Sequence, residues 1–280
     1  MLVWSDERMA DSRTPDAGEL RSVAVTVAGA AAELVAGMRS GPLRFGGGVD
    51  SKSNEVDVVT EADTAAERLV RERLAALRPC EPVLGEEEGG NLDEAEAVCW
   101  VIDPIDGTVN YLYGWPMYTV SLAAQCGGEV LAGAVVDVAG GRVFSAAKGQ
   151  GATLSLPGEE PLALGLTGPD RLAVSLVATG FGYDSAKRVR QAKTLTELIG
   201  RVRDFRRGGS AAFDLCAVAA GWVDAFYERG LNRWDWAAGA LIAREAGAVV
   251  HLPEHKEELL LAAAPGIAGE LHGALLDAGV

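Results

Sequence analysis

Three groups of acidic residues stand where a chain of alternating helices and strands gathers its chemistry. Glu86-Glu87-Glu88 follows a short apolar run and Gly85. Asp103-Pro104-Ile105-Asp106-Gly107-Thr108 ends the apolar run Val98–Ile102, and Asp235 stands at the start of a helical pattern within residues 234–239. Strand ends and helix N-termini are the places from which a rigid α/β scaffold presents functional side chains. In the 103–108 segment, Pro104 fixes φ and Gly107 permits a tight reversal, so Asp103 and Asp106 can turn toward one point. The Ile105 carbonyl and the Thr108 hydroxyl are then available as further oxygen ligands. An all-oxygen donor set without His or Cys selects Mg²⁺ or Mn²⁺ over zinc. Two neighbouring carboxylates also repel each other unless a cation neutralises them.

Taken singly, each group has a plainer explanation. Asp before a helix is an ordinary N-cap, three glutamates in a row make a solvated acidic turn, and the 103–108 segment fits a β-turn. It is the combination that points to a metal-assisted site.

Other chemistries are excluded or disfavoured by what the sequence lacks. The three histidines, His251, His255 and His272, all fall near the C-terminal end, and there is no G-x-S-x-G elbow for a nucleophilic serine. Pro253 between His251 and His255 breaks the helix that a paired-ligand role requires, so these read as exposed loop histidines. Gly46-Gly47-Gly48 lacks the Lys-Ser/Thr of a phosphate-binding P-loop. The four cysteines (Cys80, Cys99, Cys126, Cys216) are too widely spaced for a zinc site and read as reduced thiols of a cytoplasmic protein. With 25 Lys+Arg against 40 Asp+Glu, the net charge is −15, which makes nucleic acid an improbable partner. The composition, 49% hydrophobic and 23% charged, is that of a globular protein. No membrane segment is expected, because the longest weakly polar stretch, Val23–Ala32, is too short to span a bilayer.

The elements that must position the acidic groups follow from periodicity. Residues 1–17 read as a flexible leader, with Met9 an alternative start. Leu20 to Met38 follows a helical repeat, and a second helix runs from Thr60, paired with Asp63 as a capping box, to Arg78. Residues 44–59 between them read as a surface loop. Strands are predicted at 82–85 and 98–102, the latter buried on both faces, and at 118–126, 130–138 and 142–147, which have the spacing of an antiparallel meander. The second half alternates: strand 172–178, helix 185–201, strand 202–206, helix 211–220, strand 223–228, helix 236–246, strands 248–252 and 259–263, helix 267–278. Two subdomains are expected, 18–157 and 158–280, with the boundary in the Gly/Pro-rich stretch 157–169. The basic run 201–207 reads as a solvated strand edge, the alternatives being a second anion site or a dimer contact. The aromatic segment 113–118 could rim a pocket or pack in the core.

The segments GEE (85–87), DPIDGT-x-N (103–110) and WD-x-A-A-G (234–239) together resemble the inositol monophosphatase family of Mg²⁺-dependent, lithium-sensitive phosphatases. Lys52-Ser53, Asp57, Thr60-x-x-Asp63, Gly209-Ser210-Ala211-Ala212 and Tyr227-Glu228 extend the resemblance, in family order, from about residue 20 to residue 275. Glu88 and Trp236 are local variations whose effect the sequence does not give. The resemblance implies a layered αβαβα sandwich of the inositol monophosphatase / fructose-1,6-bisphosphatase type, usually a homodimer, with the site between the subdomains. It implies two or three Mg²⁺ ions, with Mn²⁺ a substitute. Glu86, Asp103, the Ile105 carbonyl and Thr108 would be ligands or neighbours of the first ion, and Asp103, Asp106 and Asp235 would hold the second. Glu86 would help with a third. Thr108, backed by Asp63, would orient the attacking water, with Glu86, Thr108 and Asp63 forming the catalytic group. The Gly107 and Thr108 amides would cradle phosphate beside Asp106 and Asp235, and Glu228 with the Gly209–Ser210–Ala211 backbone would read substrate hydroxyls.

The expected reaction is hydrolysis of a phosphomonoester, with inositol 1-phosphate first. One ion lowers the pKa of the attacking water and another stabilises the departing oxygen. Relatives of this type act on histidinol phosphate, fructose 1,6-bisphosphate or nucleotide phosphates. A carboxylate at 228 favours a polyol, since it accepts hydrogen bonds from hydroxyls and repels further phosphates. The alternative of another class is a regulatory protein that contacts RNA or the transcription machinery.

Overall fold

Asp16 accepts hydrogen bonds from the backbone N–H groups of Gly18 (2.8 Å) and Glu19 (3.3 Å), and this cap starts α1 (Ala17–Met38). The computed structural model describes residues 15–39, 49–51, 58–91 and 97–280. The end of the stretch read as a leader therefore belongs to the fold. Residues 1–14, together with Gly46–Gly48, Lys52, Ser53 and Asp57, lie outside the described residues.

After α1 come β1 (Val49–Ser51), β2 (Val58–Thr60), α2 (Glu61–Leu77), β3 (Val83–Gly85), β4 (Cys99–Asp106) and α3 (Thr108–Tyr113). The meander is β5 (Thr119–Cys126), β6 (Glu129–Asp137), β7 (Arg142–Ala147), β8 (Ala152–Ser155) and β9 (Leu162–Leu164). Then follow β10 (Leu176–Thr179), α4 (Ser185–Leu198), β11 (Asp204–Arg206), α5 (Ala211–Ala219) and β12 (Ala225–Arg229). The chain ends with α6 (Arg233–Glu245), β13 (Val249–His251), β14 (Leu259–Ala263) and α7 (Ala268–Asp277).

Strands β3 to β9 form a seven-stranded sheet in chain order, antiparallel except for the parallel pair β3–β4. The second sheet has five strands in the order β11-β10-β12-β14-β13, parallel at β11-β10-β12 and antiparallel beyond. Period-two alternation gives the first sheet two buried faces. Trp100, Ile102, Val120, Leu122 and Ala124 pack under α1 and α2, whereas Val101, Ala123 and Val135 pack on α5 and α6. The other side of the α5–α6 layer meets Phe226, Leu260 and Ala262 of the second sheet. Its far face, with Val177, Ala225, Leu261 and Ala263, is covered by Leu271 and Leu275 of α7 and Leu198 of α4. The layers are thus α1–α2, sheet, α5–α6, sheet, α4–α7, the αβαβα sandwich that the motifs imply.

Several elements differ from the periodicity reading, each for a local reason. Residues 172–174 form a 3₁₀ turn, closed by Ser175 N–H donating to the Leu172 carbonyl (3.0 Å), so the strand predicted from 172 starts at 176. Strand β9 lies inside the stretch read as a boundary and pairs with β8, which carries the first sheet to Leu164. Strands β1 and β2 pair antiparallel within the segment read as a loop. His251 and His272 are not loop residues: they lie on β13 and α7 with their rings stacked at 4.8 Å. Among the described residues α1 is the one helix long and apolar enough, by length and composition, to cross a membrane (mean hydropathy 1.4). Alanines extend the apolar stretch beyond Val23–Ala32, and Leu20, Ala24, Val27, Ala28, Ala31 and Val35 are buried in the core against the first sheet.

Candidate active site

β4 delivers the first acidic pair. Alternation along this strand puts Asp103 on the same face as Val101, toward the α5–α6 layer. Pairing with β5 then breaks between Asp103 and Asp106, where Pro104 has no N–H to give, and resumes at Asp106↔Thr119. The irregularity lets both aspartates line one cleft of about 500 Å³. Asp103 is 1% exposed, and its Oδ1 accepts the Ile105 N–H at 3.1 Å. Gly107 follows with φ +97°, a conformation open to glycine, and a Cβ there would stand 3.0 Å from the Met117 carbonyl oxygen.

The Thr108 hydroxyl, the first residue of α3, lies 3.1 Å from Asp63 Oδ1 and 3.0 Å from the Ile105 carbonyl oxygen. It donates its single proton on that side, which leaves its oxygen able to accept a hydrogen bond from the cleft. Asp63 does not line the cleft and reaches it through Thr108. Its other oxygen accepts the Thr60 N–H (2.8 Å) and hydroxyl (2.5 Å), the expected capping box of α2.

Asp106 and Asp235 are each fixed by a helix start. Asp106 Oδ2 accepts the Ser210 hydroxyl (2.6 Å) and the Ala212 N–H (2.7 Å) at the beginning of α5. Ser210 itself caps α5 by accepting the Phe213 N–H at 3.1 Å. Asp235 is not the N-cap of its helix. α6 starts at Arg233 with Asn232 as cap, and Asp235 Oδ2 reaches back to the Asn232 N–H at 2.5 Å. Glu86, Asp103, Ile105, Asp106, Gly107, Thr108, Gly209, Ser210, Ala211, Glu228 and Asp235 all line the cleft.

Burial makes this gathering of charge costly. Desolvation first, and then the charges of Glu86, Asp106 and Asp235, hold the Asp103 carboxyl well above its ordinary pKa. Desolvation also raises Asp235, with help from Asp106 and Glu86. Asp106 is pushed up to about 7 by burial, against the lowering effect of its bonds from Ser210 and Ala212. Glu228 is pushed up to about 8 by burial, opposed by Arg207. A cation removes this strain, and the donors present are all oxygen, as a hard divalent ion prefers. Among the described residues no group of three or more His, Cys, Asp or Glu side chains stands ready to hold an ion unaided. Asp103, Asp106 and Asp235 each commit an oxygen to the protein, and Mg²⁺ keeps several positions for water and substrate phosphate.

Several cleft residues were not among the predicted site residues, Asp214, Arg207, Lys187 and Lys256 among them. Asp214 on α5 is buried with its pKa raised by desolvation and by Glu228; its signal was a lone carboxylate in an apolar helix. Arg207 is the one residue of the basic run 201–207 that lines the cleft. The neighbouring part of that run is the edge strand β11, where Arg206 pairs with Asp204 at 2.7 Å. Lys187 and Lys256 line the same cleft from α4 and the β13–β14 connection, and nothing local in sequence marks them. The aromatic segment does not line it: Tyr113 and Trp115 are exposed, and Tyr118 packs edge-on against Tyr111 at 5.4 Å. Trp236 is buried under the Arg233 guanidinium (4.5 Å to the ring centroid).

Known proteins share this fold. An inositol-1-monophosphatase named SuhB from Mycobacterium tuberculosis is 52% identical over 270 residues, which is 91% of this chain and 93% of the relative. The solved structure of M. tuberculosis SuhB superposes with a TM-score of 0.82 at 48% identity, covering 95% of this chain and 98% of that one. An inositol monophosphatase structure from Anabaena gives 0.78 at 30% identity, covering 93% and 96%. A protein named Nus factor SuhB from Salmonella typhimurium is 39% identical over 204 residues, 71% of this chain and 73% of the relative. The profile of the inositol monophosphatase family matches residues 16–278, and the chain belongs to that family.

Proposed function

We propose that the chain hydrolyses a phosphomonoester, inositol 1-phosphate above others, to the free alcohol and inorganic phosphate, with Mg²⁺ as the required cation. The observation that carries this reading is the donor set: four carboxylates, a backbone carbonyl and a hydroxyl, all oxygen, along one cleft. Glu86, Asp103 and the Ile105 carbonyl would hold one ion, and Asp103, Asp106 and Asp235 a second, with a third near Glu86. Mg²⁺ there supplies charge neutralisation on the phosphate oxygens and a lowered pKa for the attacking water.

The chain's own residues supply the alignment. Thr108 presents an acceptor oxygen to the attacking water, and Asp63 takes up the hydroxyl proton on the far side. Gly107, Thr108 and the start of α5 at Ser210–Ala211 line the cleft, where their N–H groups would favour a phosphate. Ser210 does this while its hydroxyl holds Asp106. Glu228 bonds the hydroxyls of the alcohol, which suits a polyol. No side chain is phosphorylated in this scheme, and among the described residues no Cys or His lines the cleft. Lithium sensitivity, a homodimeric state and a cytoplasmic location, with neither membrane nor nucleic acid as partner, complete the proposal.

The test is phosphate release from a panel containing inositol 1-phosphate, histidinol phosphate, fructose 1,6-bisphosphate, adenosine 3′,5′-bisphosphate and NADP, with and without Mg²⁺. A preference for histidinol phosphate or a nucleotide would overturn the substrate and leave the chemistry standing. No release from any phosphomonoester would end the catalytic reading. The relatives named Nus factor favour a second reading, a regulatory contact with the transcription machinery. Asp103→Asn separates the two: a cellular phenotype that survives loss of hydrolysis supports the regulator.

A further inference from the structure

Glu67 lies one helical turn beyond Asp63 on α2, and its side chain is 0% exposed. A carboxylate taken this far from water persists only where its oxygens are fully bonded. Oε2 accepts the Glu87 N–H at 2.8 Å, and Oε1 accepts the Glu88 N–H at 3.1 Å. Arg71, one turn further along α2, donates to Oε1 from Nε (3.0 Å) and Nη2 (2.7 Å). The same guanidinium donates to the carbonyls of Val83 (3.2 Å) and Gly89 (2.6 Å) and lies 3.4 Å from Glu88 Oε2. The pair thus ties together both limbs of the turn that carries Glu86.

Two backbone features complete the clamp. Gly85 pairs in parallel with Ile102 of β4 and donates its N–H to the Gly89 carbonyl at 3.0 Å. A Cβ on Gly85 would stand 2.0 Å from Glu67 Oε1, so only glycine lets the carboxylate reach under the turn. Glu86 therefore has fixed backbone on both sides, Gly85 in the sheet and Glu87 on Glu67. Of the three consecutive glutamates, Glu86 lines the cleft and Glu88 is drawn back toward Arg71.

We propose that Glu67, braced by Arg71, is a positioning residue that aims Glu86 into the cleft and thereby sets the affinity of the site for its divalent cation. This rests on the reading of Glu86 as a cation ligand. A group acting through a ligand in this way is worth roughly 10–100-fold in metal affinity. Glu67→Gln is the informative change. Gln keeps the shape but turns one acceptor into an N–H₂ group facing the backbone donors of the turn.

The experiment titrates the full chain with Mn²⁺ alone, without substrate, following free ion by electron paramagnetic resonance, with circular dichroism and thermal melts alongside. The expected result is a folded Glu67→Gln protein whose Mn²⁺ Kd rises roughly 10–100-fold. The Mg²⁺ concentration for half-maximal activity should rise by the same factor, with most of kcat recovered at saturation. Glu86→Gln should weaken Mn²⁺ at least as much, and adding Glu67→Gln to it should cost little more, which a purely structural role would not produce. If folded Glu67→Gln binds Mn²⁺ like wild type while Glu86→Gln does not, the positioning role is overturned and the ligand role of Glu86 stands. If Glu86→Gln also binds like wild type, the ligand role fails and takes the inference with it. Should Glu67→Gln fail to fold, Arg71→Lys takes its place, and unchanged Mn²⁺ affinity there overturns the proposal.

Discussion

The Ser210 hydroxyl donates to Asp106 Oδ2 at 2.6 Å across 104 residues of chain, and the same oxygen of Ser210 accepts the Phe213 N–H that opens α5. One side chain thus caps a helix of the α5–α6 layer and sets the rotamer of a cleft carboxylate on the first sheet. Ser210→Ala removes both bonds. The lost cap costs about 1 kcal/mol of stability, which a thermal melt measures. Asp106 keeps only the Ala212 N–H, so the Mg²⁺ needed for half-maximal phosphate release should rise roughly tenfold. A drop in melting temperature with unchanged Mg²⁺ dependence would mean that the cap is the serine's whole role.

Thr108 and Asp63 form the second coupled pair, 3.1 Å apart and both buried. Thr108→Val keeps the shape and deletes the hydroxyl, and Asp63→Asn keeps the shape and removes the negative charge behind it. Each should lower kcat by about 10²–10⁴, the usual worth of a group that takes part in proton transfer. The double variant should be no slower than the worse single one, because the two act in series. Thr108→Ser restores the hydroxyl and should recover most of the rate. Single-turnover phosphate release is the measurement; additive losses would place the two residues in separate roles.

Chelation should expose the cost of the gathered carboxylates. Asp106 has its pKa pushed up to about 7 and Glu228 to about 8, both chiefly by burial, from ordinary values of 3.8 and 4.5. The folded chain then holds more protons than the unfolded chain between those limits, so its stability is full below about pH 4 on this account. It falls as pH rises, until each group's folded pKa is passed. Within that window both groups lower the stability of the folded chain as pH rises. In EDTA the melting temperature should therefore decline from pH 5 to pH 8, and Glu228→Gln should make the decline shallower. Saturating Mg²⁺ should flatten it. A melting temperature in EDTA that is level over this range would mean that the cleft carboxylates are not strained without a cation.

What the sequence made legible follows the reach of the interactions involved. The Thr60–Asp63 capping box and the glycine at 107 are local rules that act over a few residues, and each holds in the structure, whereas the strand expected at 98–102 does not stop before Asp103 but runs on to Asp106. Resemblance of spaced motifs carried Asp235 and Glu228 into the same cleft as Asp103. Helix starts were less legible. The helix expected from Trp236 starts at Arg233, because Asn232 takes the cap and leaves Asp235 in the first turn, which removes the plain N-cap explanation of Asp235. Strand β9 was hidden by Pro161 and Gly165 on either side of only three residues, and its pairing with β8 is a tertiary choice. Arg207, Lys187 and Lys256 come from three separate elements, so their meeting at one cleft depends on packing that no local pattern encodes.

Gly180 gives the sharpest test of how the alcohol is read. It is buried beside Glu228, and a Cβ added to it would stand 1.9 Å from one carboxylate oxygen and 2.4 Å from the carboxyl carbon. Its φ is outside the left-handed region, so alanine is acceptable to the backbone, and the three atoms nearest the added Cβ all belong to the Glu228 carboxylate. Overpacking of this kind typically costs about 1–3 kcal/mol, and the carboxylate is free to relieve it by moving into the cleft. Gly180→Ala should then raise KM for inositol 1-phosphate by roughly tenfold or more while kcat changes little, the pattern of lost uniform binding. A small phosphomonoester without neighbouring hydroxyls should show no such change, and its kcat/KM serves as the internal control. Equal losses on both substrates would locate the disturbance at the phosphate instead, and would remove Glu228 from the reading of the polyol.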